Sequence, residues 1–122
     1  MKRFRRNVFQ ELVERVQGPR RFLQVLAGPR QTGKTTVARQ VIKELSFPFH
    51  YVSADEPTLQ DRAWLGQQWD IARMLRRDRK PGLPVLLIID EVQKVAGWSE
   101  TVKRLWDEDT AAEIPLHVVL LG

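Results

Sequence analysis

Gly28-Pro29-Arg30-Gln31-Thr32-Gly33-Lys34-Thr35 has the residue types and spacing of a phosphate-binding loop, G-x-x-x-x-G-K-[ST]. The two glycines let a backbone curl tightly and approach an anion with no Cβ in the way. Successive N–H groups then point inward and form an anion-binding nest. A helix that starts near Lys34 adds its positive N-terminal end to the same spot. In such a loop Lys34 meets the β- and γ-phosphates and helps neutralise charge during catalysis, and Thr35 offers its hydroxyl to Mg²⁺. Thr36 offers a further hydroxyl toward the α-phosphate. Gly28, Pro29, Arg30, Gln31, Thr32, Gly33, Lys34, Thr35 and Thr36 are therefore the candidate nucleotide-binding set. A glycine-rich turn capping an ordinary helix is the plain alternative, and the flanking elements decide between the two.

A second constellation lies downstream. Val85-Leu86-Leu87-Ile88-Ile89 is an uninterrupted apolar run that ends in Asp90 and Glu91. Without alternation it reads as a strand buried on both faces, as in a parallel α/β sheet. Ligands bind at the carboxyl ends of such strands. An aspartate there holds Mg²⁺ directly or through water, so Asp90 joins Thr35 as a candidate metal residue. A glutamate beside it orients and deprotonates a water, which makes Glu91 the candidate general base, a role worth roughly 10²–10⁴ in rate. Taken alone, the pair also fits an acidic helix cap.

The elements that must position these residues follow from the pattern. Phe22 to Ala27 read as the strand feeding the loop, and Thr35 to Leu45 as the helix leaving it. Val37, Val41 and Leu45, with Ala38 and Ile42, form that helix's apolar stripe. A leading amphipathic helix over 4–17 carries Phe4, Val8, Leu12 and Val16 and stops at Gly18-Pro19. Phe49 to Ser53 read as a second strand. A long helix from a Thr58 cap to about Arg79 places Trp64, Ile71 and Leu75 on one face, flanked by Leu65, Trp69 and Ala72. Its tail of Arg73, Arg76, Arg77, Arg79 and Lys80 suits the negative helix end. Ser99 caps a helix to about Asp109, and Leu116 to Leu121 read as a fourth strand. The two tryptophans at helical spacing read as core or interface rather than as a base-stacking platform. His50 and His117 lie far apart, with no metal-ligand spacing, and read as structural.

Composition bounds the rest. The 122 residues are 43% hydrophobic and 29% charged, which describes a globular chain of one domain. There is no cysteine, so disulfides, thiolate metal sites and cysteine nucleophiles are excluded, and a reducing cytoplasm is the compatible setting. No apolar stretch approaches the ~18 residues of a membrane span, and the basic start is followed by no signal-peptide core. The net charge of +5 divides as +8 over residues 1–48 and −3 over 49–122. A basic surround favours a polyanionic nucleotide at the loop. Nucleic acid is a further partner that such charge permits, but no aromatic-interleaved basic stripe supports it.

The loop with Thr36, the stretch Ile88-Ile89-Asp90-Glu91-Val92-Gln93-Lys94-Val95-Ala96-Gly97-Trp98, and Val102-Lys103-Arg104-Leu105-Trp106-Asp107 together resemble the AAA_14 family of bacterial and archaeal P-loop ATPases. Chains of that family typically continue into a C-terminal DUF4143 domain. The resemblance spans most of residues 20–122. It implies a P-loop NTPase fold, a three-layer α/β/α arrangement with a mainly parallel sheet of the additional-strand type. The fourth strand would insert between the loop strand and the Asp90 strand. It also implies ATP and Mg²⁺ as ligands, with ATP preferred to GTP, and ATP hydrolysis. A protein partner or a homo-oligomer is left open.

On this reading residues 1–18 are a leading helix and 19–122 a nucleotide-binding core. The chain stops at Gly122, before the polar sensor residue and fifth strand of the family pattern, and so reads as C-terminally truncated. The first strand is then expected to be an uncovered apolar edge. An ATP-binding switch with little turnover, a small-molecule kinase and an inactive remnant are the rival functions.

Overall fold

The computed structural model describes residues 11–21, 23–26, 34–45, 48–55, 60–77 and 84–122. Residues 11–17 are helical (α1). They are followed by β1 (Gln24–Leu26), α2 (Lys34–Glu44), β2 (Phe49–Ser53), α3 (Arg62–Arg77), β3 (Val85–Asp90), a short 3₁₀ turn (Val92–Lys94), α4 (Trp98–Ala111) and β4 (Leu116–Leu121). The four strands form one sheet in the order β1-β4-β3-β2, and every pairing is parallel. The strand inserted between β1 and β3 is the fourth, as the additional-strand pattern requires.

Burial explains the layering. Every residue of β3 is buried, so the strand needs cover on both faces. Val85, Leu87 and Ile89 pack with Leu116, Val118 and Leu120 of β4 under α3 and α4, chiefly against Leu65, Trp69, Val102 and Leu105. Leu86 and Ile88 point the other way. They pack with Val119 and Leu121 against Val37, Ala38 and Val41 of α2 and Leu12 and Val16 of α1. The period-two alternation of the strands thus assigns each residue to one helical layer. β1 pairs only with β4 among the described strands, and its Val25 is 56% exposed. Among the described residues this edge of β1 carries no further strand, while Phe22 and Ala27 of the expected edge lie outside them.

Several boundaries differ from expectation. Thr58 lies outside the described residues, and α3 begins at Arg62 with Asp61 as its cap. The Asp61 carboxylate accepts the Trp64 backbone N–H at 2.9 Å. Its buried stripe is Leu65, Trp69 and Ala72 (spacing i, i+4, i+7), while Ile71 is 41% exposed. The sheet therefore selects the stripe that was expected to flank the apolar face. α4 starts one residue before Ser99. Gly97, at φ 70°, turns the chain into it with no side-chain cap, so a left-handed glycine replaces the serine expected there. Phe22 and Ala27 of the expected first strand, and Phe4, Val8 and Phe9 of the leading helix, lie outside the described residues. Leu12 and Val16 pack in the same cluster as α2 and the sheet, so this part of the leading helix shares the core.

One polar network ties α3 to α4. Asp109 is fully buried and accepts the Trp69 indole N–H at 2.7 Å and the Arg73 Nε–H at 2.7 Å. Arg73 also donates to the Leu105 carbonyl and pairs with Asp70 and Glu108. Its role is thus an interhelical ion pair rather than a complement to the end of its own helix. Asp109→Ala leaves an indole N–H and a guanidinium without their buried acceptor and should cost about 3–5 kcal/mol. Urea unfolding of the variant checks this. A loss below about 1 kcal/mol would show that water reaches the site and replaces the carboxylate.

Candidate functional site

Because all four strands are parallel, their carboxyl ends share one edge of the sheet. β1 reaches that edge at Leu26 and β3 at Asp90. α2 descends from the same edge, since its last residues lead into the opposite end of β2. Its first residues, Lys34 and Thr35, therefore lie at the edge where Asp90 ends β3. Parity sharpens this placement. Asp90 follows Leu86 and Ile88 on the face that α2 covers, so its carboxylate belongs to the layer of the helix that starts at Lys34.

Asp90 is 7% exposed and accepts a hydrogen bond from the Tyr51 hydroxyl to Oδ2 at 2.6 Å. Its carbonyl accepts the Ala54 N–H at 2.9 Å, which continues the β2–β3 ladder one residue past Ser53. The next residue leaves the strand. Glu91 takes a left-handed conformation, φ 56° and ψ 38°, as it caps the 3₁₀ turn. For a non-glycine residue this costs about 1–2 kcal/mol. The turn carries Gln93, whose amide donates to Glu91 Oε2 at 2.6 Å. Lys94 pairs with Asp55, holding the turn against the end of β2. On the other side the Gly122 N–H donates to the Leu26 carbonyl at 3.1 Å. The Gln93 side chain lies against Gly122, close enough that a Cβ there would meet Oε1 at 2.8 Å.

The expected site residues divide accordingly. Gly28, Pro29, Arg30, Gln31, Thr32 and Gly33 lie outside the described residues, as do the side chains of Lys34 and Thr35. The backbone of Lys34, Thr35 and Thr36 forms the first turn of α2, with Thr36 exposed. Asp90 and Glu91 sit together at the end of β3 but in different surroundings. Two partners were not anticipated. Tyr51 approaches Asp90 from a neighbouring strand, which needs the register to be known. Gln93 had a signal, because it lies in the Asp90–Trp98 stretch that carries the family resemblance.

Among the described residues no group of three or more His, Cys, Asp or Glu gathers as a metal cage. A site built on one carboxylate, a hydroxyl and substrate phosphates fits Mg²⁺, which keeps much of its water and prefers oxygen ligands. Asp90 suits that donor set. No described helix is long and apolar enough to cross a membrane. His50 contacts Gln68 at 2.9 Å, joining β2 to α3. His117 lies at the opposite end of the sheet, in β4 beside Leu116. The Leu116 carbonyl accepts the Arg20 Nε–H at 2.7 Å. Arg20 stacks 3.6 Å over the Trp106 ring and donates to the Trp106 carbonyl. Burial lowers its pKa, and the nearby Asp109 opposes that shift.

Residues 20–122 match the family AAA_14, described as an AAA domain. The ATP-dependent zinc metalloprotease YME1L1 of Rattus norvegicus is 35% identical over 117 residues, covering 88% of this chain and 14% of that protein. The ATP-dependent zinc metalloprotease FtsH of Streptococcus pneumoniae is 31% identical over 94 residues, covering 70% of this chain and 14% of that protein. The meiotic spindle formation protein mei-1 of Caenorhabditis elegans is 36% identical over 73 residues, covering 60% of this chain and 15% of that protein. The chain thus spans about a seventh of the length of these relatives.

The base of the sheet has a pH signature separate from the site. Burial first, and then the positive Arg20, lower the His117 pKa below its usual 6.5. The unfolded chain binds this proton more readily than the folded one, so stability is full above about 6.5 and is lost as pH falls through the folded-state value. Urea midpoints measured down this range should fall for the wild type, and His117→Gln should flatten the slope. An unchanged slope in the variant would assign the loss to other groups.

Proposed function

The chain belongs to the AAA_14 family of AAA domains, and on that premise we propose that it binds Mg-ATP and hydrolyses the β–γ bond. The observation that carries this reading is the meeting of two chain features at one sheet edge. Asp90 ends β3 with Glu91 directly after it, and the first turn of the helix that follows β1 begins at the same edge, with one strand between. This arrangement suits a nucleotide held across the strand ends.

In this reading the backbone of residues 28–35 cradles the phosphates, and Lys34 offsets the charge that develops on the γ-phosphoryl group. Thr35 and Asp90 would hold Mg²⁺, and the ion would supply charge neutralisation to the phosphates. Glu91 accepts a proton from water as the water oxygen bonds to the γ-phosphorus. The bond to the bridging oxygen breaks, and ADP leaves with the electron pair. Gln93 holds the Glu91 carboxylate by its amide, which limits the rotamers of a long side chain. Little covalent chemistry is asked of the protein, so positioning and electrostatics carry most of the rate.

Titration of the purified chain with a fluorescent ATP analogue and Mg²⁺ tests the binding half. Saturable binding is expected for the wild type and loss of it for Lys34→Ala. Tight binding by Lys34→Ala would sink the assignment of the loop. Glu91→Gln should bind as the wild type does and, in the complete protein, lose about 10²–10⁴ in turnover. Full turnover by that variant would remove Glu91 as the base.

A further inference from the structure

Tyr51 is a half-buried residue of β2 whose ring packs against the α2-facing core, beside Ile88 in strand register. Asp90 lies two residues beyond Ile88 on the same face. That diagonal separation is within reach of an aromatic side chain leaning along its strand. The phenol hydroxyl closes the gap with a 2.6 Å hydrogen bond to Oδ2. The donor is neutral and rigid, and its ring is held by packing. Asp90 is thereby restrained about its Cβ–Cγ bond by a donor that itself carries no charge.

We infer that Tyr51 is a positioning residue for the metal-binding carboxylate: it sets the orientation in which Asp90 meets Mg²⁺ or a water of its shell. The inference rests on the Mg-ATP reading above. Outer-shell partners of ligating carboxylates typically account for 10–100-fold in metal affinity. A lysine or arginine in the place of Tyr51 would also hold Asp90 but would compete electrostatically with the ion. A phenol avoids that conflict.

The test is nucleotide affinity as a function of Mg²⁺, read by the fluorescent ATP analogue in EDTA and across a Mg²⁺ titration. Wild type, Tyr51→Phe, Asp90→Asn and the double variant are compared, each with its urea unfolding curve. The expected result is that Tyr51→Phe raises the half-saturating Mg²⁺ about tenfold. Metal-free affinity stays the same, and Tyr51→Phe has no further effect in the Asp90→Asn background. A merely structural tyrosine would weaken binding equally with and without Mg²⁺, and that outcome overturns the inference. An unchanged Mg²⁺ dependence in Tyr51→Phe overturns it while leaving the Mg-ATP reading in place. If the folded wild type binds no nucleotide at all, the Mg-ATP reading fails and the positioning role falls with it. Should Tyr51→Phe not unfold cooperatively, Tyr51→Leu, which keeps an apolar side chain at this position and brings no donor, is judged by the same two outcomes.

Discussion

The complete burial of β3 is the constraint on which the rest of this structure depends. A strand whose every residue is inaccessible must be flanked by strands on both sides and covered by helices on both faces. Parallel neighbours meet that demand, because each crossover helix returns the chain to the start of the next strand. The same crossovers bring every strand to its carboxyl end at one edge. The position of the candidate site is thus a consequence of how β3 is buried. A chemistry-bearing pair placed anywhere but at the last residues of that strand would lie in a dry core with no approach.

The two ends of the sheet handle polar groups differently. At the far end, Arg20 and Arg73 share a buried neighbourhood with Asp109, and the indoles of Trp69 and Trp106 supply a donor and a stacking face. Each charge there is matched by a partner or by several carbonyls, which is how a buried ion avoids its desolvation penalty. At the carboxyl edge Asp90 accepts from a phenol and Glu91 from an amide. Opposite charge is spent on stability at one end. At the other, a neutral phenol and a neutral amide each hold one carboxylate.

Much of this was legible in the sequence, for a physical reason that also marks where legibility stops. The apolar run 85–89, the loop pattern and the Asp-Glu-x-Gln-Lys stretch are local signals, and the α/β fold with its inserted fourth strand follows from them and the resemblance. The buried stripe of α3 was not legible, because Trp64, Ile71 and Leu75 are as apolar as Leu65, Trp69 and Ala72. Only the sheet beneath decides which row faces inward. The Asp61 cap was obscured by a second good capping residue, Thr58, nearby. The Tyr51–Asp90 bond depends on strand register, and the Trp69–Asp109–Arg73 network on helix docking. Neither leaves a trace at short range, and Arg73 looked like one basic residue among several at a helix end.

Asp90 and Glu91 are adjacent in the chain, and two neighbouring carboxylates aimed at one spot would repel. The backbone separates them. Asp90 keeps the extended geometry of β3, so alternation sends its side chain to the α2 face. Glu91 would by the same alternation point toward α3 and α4, into apolar core. Its left-handed conformation ends the strand instead and lifts the carboxylate onto the surface turn, where Gln93 meets it. The strain of that conformation is small beside the cost of burying an unpaired charge. A glycine there would relieve it but would bring no carboxylate. A single strained residue therefore gives neighbouring acids two separate environments, and the proposed division of labour between metal holder and base would rest on the backbone as much as on the side chains.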